Sequence, residues 1–287
     1  MPFTLRPATA DDHAAFLRLF AELRIPDPAP LPATFAERFT PNMTVACAGD
    51  DVIGYTRWRR YGTTAHVIHV VTDPAWRGKR VGQLLLEALR ASARDAGCTR
   101  WYLNVKKENT SALRLYERCG FAIEMDCWSL RMPWTSALDL PAATDVATRL
   151  AVIEEDAAIA TRFGWNIERV ESIRGHLRAT MIVGTTSETG ETSETGETGT
   201  TGATSETSAT SAIDAFAAFL PGYPGAAPIA TARPGLAGVL LRACHAYARP
   251  EHDYTRLHVE GNHALYEELV AGGAETAFSL WQMSSEI

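Results

Sequence analysis

Three basic side chains and two glycines fall together in Arg77-Gly78-Lys79-Arg80-Val81-Gly82. They follow an apolar run, His66-Val67-Ile68-His69-Val70-Val71-Thr72, and the segment Asp73-Pro74-Ala75-Trp76, where proline ends a strand because it cannot donate to a sheet ladder. Leu84-Leu85-Leu86-Glu87-Ala88-Leu89-Arg90 comes next and reads as a helix. The order is strand, basic glycine turn, helix start. A helix start has unpaired N–H groups and the positive end of the helix dipole, and glycine lets a phosphate approach the backbone. The chemistry this suits is the binding of a pyrophosphate. The loop is neither a Walker A sequence nor the G-x-G-x-x-G dinucleotide fingerprint. Downstream, Asn109-Thr110-Ser111-Ala112-Leu113-Arg114-Leu115-Tyr116-Glu117-Arg118-Cys119-Gly120-Phe121 places a capping asparagine ahead of a helix that carries a phenol.

These two stretches resemble the motifs of the GNAT superfamily, the GCN5-related N-acetyltransferases. The family loop reads [RQ]-x-x-G-x-[GA], most often R-G-x-G-x-G; Arg77, Gly78 and Gly82 match it, and Arg80 replaces the middle glycine. The second stretch is similar to N-x-x-A-x-x-L-Y-x-x-x-G-F. Gly54-Tyr55-Thr56-Arg57-Trp58 resembles a strand motif of the same family. The resemblance implies direct acyl transfer from acetyl-CoA to an amine, with no metal. It implies a cofactor site of Val70, Val71 and Thr72 (main chain), Arg77, Gly78, Lys79, Arg80, Val81, Gly82, Asn109 and Tyr116. It also implies that the strand ending at Thr72 splays from its neighbour to admit the pantetheine arm. Tyr116 is the expected acid for the departing thiolate. Many members carry a glutamate base near the start of the splayed strand, at the position that His66 holds here. Plain strand alternation puts His69 on the opposite face from His66.

The elements that must position these groups can be read in order. Phe3–Arg6 is expected as a strand, Thr9–Asp12 as a helix start, and Phe16, Leu17, Leu19, Phe20 and Leu23 as its apolar face. The proline-rich stretch 26–32 is a loop and 34–39 a second helix. Glu22, Arg24, Asp27 and Glu37 here are acceptor contacts or solvated charges. Strands are expected at 43–48, 52–60, 64–72, 100–105 and 121–132, with helices at 82–97 and 109–118. The fold class is α/β (α+β): a tandem GNAT fold with a mixed, mostly antiparallel central sheet, splayed strands and flanking helices.

The tandem reading rests on an echo. Val81-Gly82-Gln83-Leu84-Leu85-Leu86-Glu87-Ala88 has a counterpart in Leu236-Ala237-Gly238-Val239-Leu240-Leu241-Arg242-Ala243, and the spacing from Asn109 to Gly120 recurs from Asn262 to Gly273. The expected domains are 1–135, catalytic, and 136–287, a degenerate copy in which Leu269 stands at the tyrosine position and Arg233 is the one basic group of the loop. Within the second half, 145–161 and 168–177 read as helices, and 180–183 with 216–220 as paired strands. The low-complexity tract 185–211, with Ser187–Thr192 repeated as Ser193–Thr198, is expected to be a disordered hairpin loop.

Bulk properties bound the rest. The 287 residues suit two domains, and 46% hydrophobic residues suffice for packed cores. The net charge of −7 argues against nucleic acid as a partner and suits a cationic amine, an aminoglycoside-like molecule or a peptide N-terminus. No long apolar run or leader is evident, and the five cysteines lack disulfide or metal spacing, so a cytoplasmic protein away from the membrane is expected, as monomer or homodimer. The only lysines, Lys79, Lys106 and Lys107, flank the two motifs. The competing function is a non-catalytic acyl-CoA-binding sensor or scaffold.

Overall fold

The computed structural model describes residues 3–25, 28–177, 179–186 and 212–287. Its contacts divide the chain into two units: Met1–Cys127 together with Ser279–Ile287, and Trp128–Phe278. This differs from a single cut after residue 135, because the last stretch of the chain belongs with the first unit.

In the first unit the elements run β1 (Thr4–Pro7), α1 (His13–Phe20), α2 (Pro32–Arg38), β2 (Met43–Ala48), β3 (Asp51–Tyr61), β4 (Thr64–Thr72), α3 (Val81–Asp95), β5 (Arg100–Lys106) and α4 (Thr110–Arg118), followed by the start of β6 (Ala122–Pro133). Its strands pair in the order β1-β2-β3-β4-β5, antiparallel except for β4 with β5. Beyond β5 the sheet takes in the final strand of the chain, Glu275–Glu286, whose Leu280–Glu286 run antiparallel to Lys106–Arg100.

Helices cover both faces. Phe16, Leu19, Phe20 and Phe35 of α1 and α2 pack with Val45, Tyr55 and Val71 on one. Leu86 and Leu89 of α3 and Tyr116 of α4 pack with Ala65, Val67, Trp101 and Leu103 on the other. Gly54 permits the approach of α3, since a Cβ there would lie 2.8 Å from the Val71 carbonyl oxygen and 3.2 Å from a Val81 methyl.

The second unit repeats the plan: the end of β6, then α5 (Trp134–Asp139), β7 (Val146–Leu150), α6 (Asp156–Phe163), α7 (Ile167–Ser172), β8 (Thr180–Thr186), β9 (Ala212–Leu220), β10 (Gly225–Thr231), α8 (Leu236–His245), β11 (Tyr254–Glu260), α9 (His263–Ala271) and the start of β12 (Glu275–Glu286). The ladder β7-β8-β9-β10 is antiparallel and β10 runs parallel to β11. The closing strands are exchanged between the copies: Trp128, Leu130 and Met132 lie in the second core, and Met283 with Trp281 in the first.

Two sequence expectations change here. Residues 146–150 form β7 rather than the start of a helix, because Val146–Leu150 pair with Thr186–Ile182; the helix begins at Asp156. Thr185 and Thr186 belong to β8 and not to a disordered tract, and residues 187–211 lie outside the described residues, as does Asp27.

Met283 is 1% exposed within the first core. Met283→Ala will therefore lower the stability of the first unit by about 2–4 kcal/mol, measured by urea denaturation, although the residue lies far down the chain from the rest of that core.

Candidate active site

β4 and β5 are in register only from Thr64–Arg100 to Val67–Leu103. Beyond that point β4 runs on to Thr72 and β5 to Lys106 with no further pairing between them among the described residues. Val70, Val71 and Thr72 lie along this opened edge. They remain bonded on their other side to β3, at Thr56, Tyr55 and Gly54.

The basic loop follows directly. Asp73 starts it, accepting from the Ala75 N–H at 2.9 Å and pairing with Arg18 of α1, whose other guanidinium nitrogen donates to the Val52 carbonyl at 2.7 Å. Gly78 has φ +76° and Arg80 φ +64°, so a non-glycine residue holds the left-handed conformation at the cap of α3. That is the place where the family motif has its middle glycine, and the cost of an arginine there is local backbone strain. The Arg80 side chain does not cap α3, and among the described residues no side chain accepts from the Val81 or Gly82 amide. Gly82 is needed for packing: a Cβ would meet a Leu115 methyl at 3.1 Å and the Thr72 hydroxyl at 3.4 Å.

Arg77 is tied to Glu22 at 2.7 Å, and Lys79 lies 4.6 Å above the Trp76 ring. Glu22 thus serves the loop rather than solvent. An exposed pair of this kind is worth about 1 kcal/mol or less, so Arg77 can exchange Glu22 for a phosphate.

Asn109 caps α4, accepting from the Ala112 N–H at 3.2 Å and the Ser111 hydroxyl at 3.0 Å. Tyr116 is 8% exposed and meets Phe121 edge-on at 5.9 Å. Burial, with a smaller contribution from Cys119, pushes its phenol above the ordinary value, so the proton stays on Tyr116 through the working pH range.

The two strand histidines do not lie on opposite faces. Arg57 pairs with His69 while the next residue, Trp58, pairs with Val67, which leaves Ile68 as an extra residue in β4. This bulge resets the alternation. Ala65 and Val67 before it, and Val70 after it, pack on the α3 side. His66 and His69 both face the α1 side. His66 stacks on Tyr102 at 4.4 Å and 5° and lies 6.2 Å from Tyr61. His69 packs against Phe20 and Tyr55. Burial and the nearby Arg57 bring its pKa down to about 3, which makes it a poor base near neutrality.

Arg57 and Arg59 are not among the expected site residues; they stand two apart, on one face of the mostly buried β3, and that spacing is the signal that marks them.

In the second unit the corresponding loop is occupied by the chain itself. The Glu268 carboxyl group, whose pKa burial raises, accepts from the Gly235 N–H, 3.2 Å from each oxygen. Counted from the capping asparagines, Glu268 stands where Leu115 stands in the first copy. The Ala143 N–H bonds the Gly235 carbonyl at 3.1 Å, Arg233 pairs with Asp145, and the Asn262 side chain donates to the Thr231 carbonyl at 2.9 Å. Leu269, at the tyrosine position, is fully buried, and Tyr266 instead stacks on Trp128 at 4.4 Å.

The profile of the acetyltransferase (GNAT) family matches residues 13–121. RimI of Mycobacterium tuberculosis (strain ATCC 25618 / H37Rv), an N-alpha-acetyltransferase, is 32% identical over 127 residues, covering 42% of this chain and 78% of that protein. The aminoglycoside N(6')-acetyltransferase type 1 of Stenotrophomonas maltophilia is 30% identical over 147 residues, 45% of this chain and 93% of that protein.

The chain belongs to the acetyltransferase (GNAT) family.

It is an acyltransferase. The fold of the whole chain is also similar to that of a tandem GNAT protein from the clavulanic acid biosynthesis pathway, with a TM-score of 0.60 at 16% identity over 99% of this chain and 98% of that one. Among the described residues no helix is long and apolar enough to cross a membrane, and no group of three or more His, Cys, Asp or Glu is placed to hold a metal.

His69 gives a pH prediction. Its folded pKa lies below the unfolded value of about 6.5, so the unfolded chain binds the extra proton and stability falls as pH drops from about 6.5 towards 3, by up to about 1.4 kcal/mol per pH unit. His69→Phe will flatten the slope of unfolding free energy between pH 6.5 and 4.5; an unchanged slope would show that His69 is not its source.

Proposed function

We propose that this GNAT protein transfers the acetyl group of acetyl-CoA to a primary amine of a small molecule or peptide, using the first unit, and that the second unit is a degenerate copy. The observation that carries this is the opening of β4 from β5 beside an uncapped, arginine- and lysine-rich helix start, with Tyr116 on the helix that follows β5. Unpaired strand backbone in the opening suits an extended amide-bearing arm, which bonds a sheet edge as an added strand does. Amides of the α3 start with Arg77, Lys79 and Arg80 suit a pyrophosphate.

The thioester supplies an activated acyl carbon. The neutral amine attacks it, the C–N bond forms, and the C–S bond breaks as the carbonyl is restored. Tyr116 then donates its phenolic proton to the leaving thiolate. His66, on the acceptor face of β4, takes the amine proton directly or through water. The chain's other contribution is orientation, since the strand edge and the loop fix the thioester while the α1 side receives the amine.

The degenerate reading of the second unit is supported by Glu268. Its carboxylate already accepts from the Gly235 N–H at the helix start that a pyrophosphate would need, and it repels a second anion. Asn262 bridges to the end of β10, the counterpart of Thr72 in β4.

Native mass spectrometry with acetyl-CoA is therefore expected to show one equivalent per chain, lost in the double variant Arg77→Ala, Lys79→Ala. A second equivalent that survives this change would overturn the degenerate assignment. Tyr116→Phe is expected to lower kcat by about 100-fold with little change in the KM for acetyl-CoA, and the wild-type rate should show no loss from phenol ionisation up to about pH 10. Unchanged turnover would remove Tyr116 from the chemistry.

A further inference from the structure

We infer that the acceptor amine also carries an anionic group, a carboxylate or a phosphate, which Arg57 and Arg59 receive on the α1 side of β3. The inference rests on the transferase reading above and deepens it.

The placement comes from the register. Arg57 is paired across the ladder with His69, and Arg59 with His66. Cross-strand partners share a face, so both arginines stand beside the residue that takes the amine proton and on the same side of the sheet. Tyr55 and Tyr61, at alternate positions of the same strand, flank them.

Arg57 is 9% exposed, and among the described residues it forms no ion pair. Its Nε has no hydrogen-bond partner, and the one bond of its outer nitrogens is a long one, 3.4 Å to the Arg38 carbonyl. Phe39 lies 3.9 Å beneath the guanidinium. A ring face gives back only part of what a buried guanidinium without a carboxylate loses in hydration. Burial, with the repulsion of Arg59 and Arg38 behind it, draws the pKa of Arg57 down to about 10. Arg59 is half-buried and donates to the Tyr61 hydroxyl at 3.3 Å; it too forms no ion pair among the described residues.

Several other partly buried arginines of this chain meet carboxylates. Arg6 meets Asp12, Arg169 meets Glu260, and Arg174 meets Asp156. Two neighbouring arginines that lack one, on the face that receives the acceptor, are a charge arrangement that an anion completes. The guanidinium fork matches carboxylate and phosphate oxygens in pairs. The net charge of −7 acts over the whole surface and favours cations at a distance, but contacts of this range decide what docks.

The test is an acetyl-transfer assay on matched amines, each with and without its anion: an α-amino acid against its amide, and an aminosugar phosphate against the free aminosugar. The anionic member of at least one pair is expected to have a kcat/KM about tenfold higher or more, and the pair that shows it identifies carboxylate or phosphate. Arg59→Gln is expected to pull that ratio towards one while the KM for acetyl-CoA stays as in the wild type. Arg57→Lys, which keeps the charge and loses the fork, is expected to do the same, and it stands in should Arg57→Gln not fold. Equal use of both members of each pair, or an Arg59→Gln loss shared by both, would overturn the inference with the transferase reading intact. Bound acetyl-CoA with no turnover of any amine would overturn the transferase reading itself.

Discussion

The structure depends on one unfinished ladder. Backbone N–H and C=O groups in the interior of a sheet need partners, and a parallel pair that separates midway leaves two rows of them facing each other across a gap. In the first unit β4 and β5 part after Val67 and Leu103, and much of what surrounds them accommodates that parting. α3 starts where β4 ends and leaves its first amides uncapped beside the opening. Gly54 and Gly82 bring that helix down to the sheet. α4, capped by Asn109, sets Tyr116 in the core behind β5. The second unit has the same parting, with only Gly225 and Ala226 of β10 paired to β11. There the chain supplies its own partners, the Asn262 amide to the Thr231 carbonyl and Glu268 to the Gly235 N–H.

The difference between the copies comes down to single side chains at equivalent places. Leu115 packs on Gly82 in the first, while Glu268 accepts from the Gly235 N–H in the second. An apolar group leaves the helix-start amides open, whereas a carboxyl at the same place takes one of them.

Much of the fold was legible because its signals are local. The strand Thr64–Thr72, the asparagine cap of α4 and the strand–loop–helix order follow from apolar runs, a proline stop and capping chemistry, each within a few residues. The features that escaped depend on pairing between distant residues. The bulge at Ile68 leaves no mark in composition, yet it moves His69 to the side of His66 and so changes the reading of the site. β7 is only five residues, Val146–Leu150, too short to outweigh the helical stretch after it, and only its partner β8 decides the matter. Arg57 and Arg59 were visible as alternating charges, but their want of carboxylates is a property of the folded neighbourhood. The expected strand 121–132 gave no sign that Trp128, Leu130 and Met132 serve the second core.

That exchange has a consequence for the order of events at the ribosome. The strand beside β5 is synthesised only after all of Trp128–Phe278 has been made. Domains ordinarily fold as their residues emerge, the N-terminal one first. Here the edge along Arg100–Lys106 has no partner from β12 until the later unit has been synthesised, so the sheet of the N-terminal unit is completed last. A fragment cut after its apparent boundary carries the full set of motifs and still lacks a strand.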